Sequence, residues 1–96
     1  MTAEEKIKET VFKHISPEEN KVFLFGSRAT GTNRKWSDYD IGVIGKEKLP
    51  YSKFNELKNE LEESNIPYKI DIIDFAQVSD KFRNVALKNT KVWTRN

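Results

Sequence analysis

The sequence predicts a small α/β (α+β) domain: a mixed β-sheet with helices on one face, in the order α-β-β-α-β-α. Three observations predict it. Apolar residues recur at helical spacing in three separate stretches. Short apolar or alternating runs lie between those stretches, as strands do. Gly, Pro and Asn punctuate the junctions.

Ile7, Thr10, Val11, His14 and Ile15 share one helical face, with Glu and Lys elsewhere, which predicts a helix over 3–14. Ser16-Pro17-Glu18-Glu19 reads as a capped turn, with Ser16 as N-cap, Pro17 at the first helical position and Glu19 closing a capping box. Val22-Phe23-Leu24-Phe25 is a buried strand ended by Gly26. Asp38 to Ile44 alternates and turns at Gly45-Lys46-Glu47-Lys48, giving a second strand. Phe54, Leu57 and Leu61 predict a helix over 51–64, stopped by Asn65 and Pro67. Tyr68 to Asp74 is a third strand. Phe82, Val85, Ala86 and Asn89 predict a last helix with Ser79 as N-cap. Lys91-Val92-Trp93 adds an edge strand or a tail.

The composition narrows the function. The 96 residues fit a single domain over 1–96. The absence of Cys excludes disulfide frameworks, Cys-ligated zinc and thiol chemistry, and fits a reducing, cytoplasmic setting. No apolar run approaches the ~20 residues that span a bilayer. Residues 1–15 are too charged for a signal peptide. Lys and Arg number 17 against 15 Asp and Glu, so the formal charge is only +2. That near-balance does not point to a long nucleic acid, whose binders carry a basic face.

The acids carry the next step. The ten Glu fall on predicted helices or turns, where a solvated charge is ordinary, whereas four of the five Asp (Asp38, Asp40, Asp71 and Asp74) sit in the two later strands. Strands are normally poor in Asp, and unpaired buried carboxylates need a compensating cation. Asp38 and Asp40 are two residues apart on one strand face, with Cα atoms about 6.5–7 Å apart. Opposite parity puts Tyr39, Ile41 and Val43 in the core. On the third strand, Asp71 shares its side with Lys69, whereas Asp74 falls on the apolar Tyr68-Ile70-Ile72 side and reads as a strand-end or cap residue. The carboxylate sides are expected to line one open cleft. Mg²⁺ suits such a set, since it takes one or two carboxylates plus substrate phosphates. The plainer reading leaves Asp38 as a turn cap and Asp40 as a strand-edge charge.

Gly26-Ser27 directly follows the first strand and leads into Arg28-Ala29-Thr30-Gly31. A strand ending in Gly-Ser at a helical turn can offer backbone N–H groups and a hydroxyl to phosphate oxygens; taken alone it is an ordinary strand exit. No Walker loop or dinucleotide fingerprint is present. Arg28 suits phosphate but is also a common surface residue. Ser37 orients the Asp38 turn through its hydroxyl or touches the ligand. Arg34 and Lys35 belong to a solvated loop. Trp36 either stacks on a base or packs under the loop. Lys69 offsets the acidic face. His14, the sole His, is structural, and Trp93 is a core or interface anchor.

Read together, Gly26-Ser27-Arg28-Ala29-Thr30-Gly31, five residues, then Ser37-Asp38-Tyr39-Asp40-Ile41 resembles the signature of the polymerase-β-like nucleotidyltransferase superfamily. The fuller pattern is similar to the small stand-alone minimal nucleotidyltransferases, MntA-like antitoxins often encoded beside a HEPN-domain toxin. The resemblance covers nearly the whole chain and implies a nucleotidyltransferase core. It implies that Gly26 and Ser27 hold the triphosphate; Arg28 and Ser37 stand beside them as candidate nucleotide-binding residues. It implies that Asp38, Asp40 and Asp71 are catalytic and hold two Mg²⁺ ions, with Asp71 also deprotonating the acceptor hydroxyl. The implied reaction moves AMP from ATP to a hydroxyl, a tyrosine of a HEPN-type toxin.

Two rival readings use the same residues. One is a binding module that neutralises its partner by contact, without required catalysis. The other is a metal-dependent nuclease, which leaves Gly26-Ser27 less well explained. A single domain of this size has no second domain to grip an acceptor. The acceptor is therefore expected to bring its own recognition surface, which favours a protein over a small molecule, with nucleic acid the less favoured acceptor. The sequence contains no segment that reads as a base-specific pocket.

Overall fold

A computed structural model describes residues 1–46 and 48–94 of the chain. The elements follow as α1 (Ala3–His14), β1 (Asn20–Phe25), α2 (Ser27–Thr30), β2 (Tyr39–Gly45), α3 (Tyr51–Glu63), β3 (Ile70–Asp74), α4 (Asp80–Ala86) and β4 (Lys91–Val92). The expected α-β-β-α-β-α series is therefore intact, with a short helical turn added after β1; of the edge strand or tail expected at 91–93, Lys91–Val92 forms the edge strand, and β2 starts at Tyr39 rather than Asp38. β1 starts two residues earlier than its apolar run, and β3 starts at Ile70 rather than Tyr68. Glu47, in the predicted Gly45–Lys48 turn, lies outside the described residues.

The sheet order is β3-β2-β1-β4. β1 is antiparallel to both β2 and β4, and β2 is parallel to β3, so α3 makes the crossover. Ile7, Val11, Val22, Leu24, Ile41, Val43, Leu57, Leu61 and Ile72 form the larger core between the sheet and the α1–α3 layer. Each such side chain, fully buried, contributes about 1.5–3 kcal/mol. The other sheet face carries a smaller core of Phe23, Phe25 and Phe75, against which Ala86 and Leu87 pack. The helices thus do not all share one face: α1 and α3 form the expected layer, and α4 lies opposite.

Local chemistry sets the ends. Thr2 caps α1: its hydroxyl accepts from the Glu5 N–H at 3.1 Å and donates to the Glu5 carboxylate at 3.2 Å. The capping box expected at Ser16 and Glu19 does not form. Residues 16–20 make a single turn instead, closed by the Ser16 carbonyl, which accepts from both the backbone N–H and the side-chain amide of Asn20 at 3.1 Å. β1 begins at Asn20, which leaves no length for a helix there. Ser64 ends α3, donating its hydroxyl to the Leu61 carbonyl at 2.6 Å. Ser79 caps α4 as expected, accepting from the Phe82 N–H at 3.2 Å. No helix among the described residues is long and apolar enough to cross a membrane.

Candidate active site

The site sits at the C-terminal end of β1, where the chain turns through Gly26. This residue adopts φ 76°, ψ −156°, a conformation open essentially only to glycine. A Cβ there would stand 2.5 Å from Asp40 Oδ2. Glycine is thus required twice, by the backbone and by the carboxylate pressed against it. α2 follows as a single turn, closed by Gly31 at φ 78°, whose N–H donates to the Ser27 carbonyl. The N–H groups at the start of a helical turn have no partner within it, and in α2 these belong to Ser27 and Arg28.

Register brings the carboxylates to the same place. Phe25 pairs with Asp40 across β1 and β2, and Asp40 pairs with Asp71 across β2 and β3. Directly paired residues point to the same face, so Asp40 and Asp71 stand side by side next to Gly26, on the Phe23–Phe25 face. Asp38 immediately precedes β2. Burial, and then repulsion from Asp71 and Asp38, raises the Asp40 carboxyl above its ordinary range, and Lys69 opposes this. Lys69 Nζ lies 4.0 Å from Asp71 Oδ2 at an exposed position, so it screens the cluster only weakly.

Among the described residues, no three Asp, Glu or His side chains enclose a metal on their own. The donor set nonetheless fits Mg²⁺, which is held by one or two carboxylates and completes its shell with water and phosphate oxygens. Asp40, half-buried and repelled by two neighbouring acids, is the group that a divalent cation would relieve.

Asp74 lies elsewhere. It is buried at the end of β3, where it accepts from the N–H groups of Leu49 and Ala76, each at 3.0 Å. It ties the entry to α3 onto the sheet.

Arg28 and Ser37 are engaged with the loop before β2. The Arg28 guanidinium lies 3.9 Å from the Tyr39 ring centroid and 4.8 Å from that of Tyr68. It donates to the carbonyls of Ser37 at 3.0 Å and Lys35 at 3.3 Å. Ser37 Oγ accepts from the Arg34 N–H at 2.8 Å. Both side chains therefore set where Asp38 emerges. Burial raises the Tyr39 phenol and Arg28 pulls it back. Trp36 stays 63% exposed, with its ring 5.6 Å from Tyr68. His14 bonds Glu60 at 3.0 Å, joining α1 to α3. The Trp93 backbone N–H donates to the Val22 carbonyl at 2.8 Å, and its ring packs on the larger core.

Sequence reading missed the Arg28 strap, because its acceptors are backbone carbonyls that any residue supplies. It also missed a hollow between α4 and the Gly26 turn, because the stripe of α4 read as core.

Residues 5–96 match the family described as polymerase beta, nucleotidyltransferase. Over 82 residues the chain is 34% identical to a probable protein adenylyltransferase, MntA, of Haemophilus influenzae; the match covers 85% of this chain and 71% of that protein. The crystal structure of a toxin–antitoxin with AMP-PNP is similar at TM-score 0.74 and 28% identity, over 95% of this chain and 73% of that one. The complex of a tri-AMPylated Shewanella oneidensis HEPN toxin with its MNT antitoxin matches at TM-score 0.69 and 24% identity, over 96% of this chain and 70% of that one, a likeness of fold.

Proposed function

Because this chain belongs to the polymerase-β nucleotidyltransferase family, we propose that it transfers AMP from ATP to a tyrosine hydroxyl of a HEPN-type toxin, and is the antitoxin of that pair. The observation that carries this reading is the meeting of the glycine turn and the carboxylate pair at one point: Asp40 against Gly26, with Asp71 beside it. The H. influenzae relative is named for protein adenylylation, and a similar structure is a toxin–antitoxin holding an ATP analogue.

In the proposed reaction the acceptor oxygen forms a bond to the α-phosphorus as the bond to pyrophosphate breaks. Gly26 lets the backbone approach the triphosphate, and Ser27 supplies a hydroxyl and an N–H to its oxygens. Asp71 is exposed enough to meet an incoming hydroxyl and takes its proton. Asp38, Asp40 and Asp71 would hold Mg²⁺, which when bound neutralises the triphosphate and the charge that develops on the attacking and leaving oxygens. Arg28 and Ser37 position Asp38 through the loop rather than by touching phosphate. We take residues 1–96 as one such domain, and the cytoplasm as its setting.

The test combines the protein, Mg²⁺, ATP labelled at the α-phosphate, and the HEPN-type protein of the neighbouring gene. Label is expected on the partner. The Asp38→Ala/Asp40→Ala variant should lose at least ~10²-fold of that activity, the scale of losing one major charge-stabilising element. Equal labelling by the variant would remove these ligands from the reading. Neutralisation without labelling would favour the contact module, and cleavage of nucleic acid without nucleotide would favour the nuclease.

A further inference from the structure

We propose that the outer edge of β3 takes up an extended segment of the acceptor protein as an added antiparallel strand, and that the tyrosine to be modified lies in this segment directly opposite Asp71. This rests on the reading of the chain as a nucleotidyltransferase that acts on a protein hydroxyl.

The backbone of β3 comes first. β3 ends the sheet on the side away from β4. The Tyr39 N–H donates to the Lys69 carbonyl at 3.0 Å, and the Phe75 N–H donates to the Val43 carbonyl at 2.9 Å. Lys69 and Phe75 therefore turn their polar groups toward β2. Asp71 and Ile73 do the same, because the direction alternates from residue to residue in the ladder. Ile70 and Ile72 turn theirs outward. Among the described residues, none bonds these two N–H groups and two carbonyls. A row of unpaired groups at a sheet edge is a template for another chain.

Register then fixes what a strand laid there presents. In an antiparallel pair, the residues opposite Ile70 and Ile72 exchange hydrogen bonds with them. The residue between, opposite Asp71, belongs to a non-hydrogen-bonded pair, where Cα atoms stand about 4.5 Å apart and side chains are closest. Paired residues point to the same face, so this residue joins Asp40 and Asp71 on the carboxylate face. Its two neighbours point to the other face, beside Tyr68 and Ile70, which are half-buried at the margin of the larger core. Apolar residues suit those two positions, so the expected stretch reads apolar-Tyr-apolar.

The reaction geometry selects this occupant. In phosphoryl transfer the attacking and leaving oxygens lie in line, on opposite sides of the phosphorus. Gly26, Asp40 and Asp71 follow one another across the sheet. The glycine turn, where the proposed reaction seats the triphosphate, is at one end of that row. The attacking hydroxyl then arrives from the other end, which is the β3 edge. Asp71 is 42% exposed there, open to such an approach.

The test follows backbone amide exchange in the isotope-labelled whole chain, in Mg²⁺ and a non-hydrolysable ATP analogue, with and without the HEPN-type protein of the neighbouring gene. With the partner, the Ile70 and Ile72 amides are expected to exchange at least ~10-fold more slowly. The Asp71 and Ile73 amides, bonded to β2 in the free chain, should change less. Unchanged exchange at Ile70 and Ile72, in a complex that transfers AMP when given ATP, overturns the edge and leaves the transferase reading standing. Slowing that follows the chain's own concentration without the partner assigns the edge to a second copy and overturns the proposal too. A parent chain that transfers no AMP to the partner overturns both readings. Ile70→Pro removes an outward N–H and no bond to β2. At limiting partner it should transfer AMP about fivefold more slowly, the scale of one hydrogen bond, and bind the ATP analogue as the parent does. Ile70→Val keeps the N–H and should transfer as the parent does. Equal transfer by Ile70→Pro and the parent, or equal loss in both variants, overturns the edge. The exchange measurement needs no variant and decides the matter whether or not Ile70→Pro folds.

Discussion

Two residues decide the chemistry of the site, and each does so by excluding an alternative. Gly26 excludes a side chain, because any Cβ at its φ of 76° is strained and collides with Asp40. Asp40 excludes easy ionisation, because burial and two neighbouring acids raise its carboxyl. The sign of the second effect is fixed by linkage. For an acid raised on folding, the stability contribution is complete below its ordinary value of 3.8 and is lost as pH rises through the raised value. At neutral pH without divalent cation, ionised Asp40 therefore costs stability. Asp40→Asn is expected to raise the melting temperature at pH 7 in chelator, with the gain gone near pH 3.5. Thermal melts at the two pH values check this, and a lower melting temperature at pH 7 would refute it. The same change should abolish nucleotidyl transfer. The acidic pair was legible from the alternation of Asp38 to Ile44; the pressure on Asp40 was not, since it depends on β3 supplying Asp71 at the same register.

At the scale of elements, the loop between α2 and β2 is held by one side chain. Arg28 reaches from α2 to two loop carbonyls and lies over two tyrosine rings. A hydrogen bond from a charged donor contributes about 1.5–3 kcal/mol. Arg28→Ala is expected to destabilise the protein by about 1–3 kcal/mol in urea melts and to speed tryptic cleavage at Arg34 and Lys35. Arg28→Lys should recover little, because an ammonium lacks the planar fork that serves two carbonyls while stacking on rings. An unchanged cleavage rate in Arg28→Ala would show that the loop is held otherwise. Helix existence was readable element by element, from apolar spacing and from Ser79 as a cap. The box at Ser16 was misplaced, and the Thr2–Glu5 pair that does cap a helix was passed over, because Thr-x-x-Glu and Ser-x-x-Glu look alike and only the element that follows, α1 after Thr2 and β1 after Ser16, separates them.

For the molecule as a whole, the sheet has a core on each side. The smaller one, Phe23, Phe25 and Phe75, backs the active face and carries α4. Phe75 is fully buried, 5.0 Å from Phe23 and 5.4 Å from Phe25 between centroids, and edge-on to both. Gly42 is matched to it: a Cβ there would run into the rings of Phe23 and Phe75. Phe75→Ala is expected to cost about 3–5 kcal/mol, a large share of the ~5–15 kcal/mol that holds a domain together. Denaturant melts measure this loss, and a value under 1 kcal/mol would show that the second core is dispensable.

The sequence by itself determined the family resemblance, the order of helices and strands, the Gly-Ser turn and the parity that separates Asp71 from Asp74. All of these follow from residue type and spacing along the chain. Only the tertiary structure decided that Asp40 and Asp71 are direct neighbours, that Arg28 straps a loop, and that α4 opens a hollow beside Gly26. Those facts depend on strand register and on which sheet face a helix takes. The physical reason is that period-two alternation assigns a side chain to a face but does not say what lies across from it.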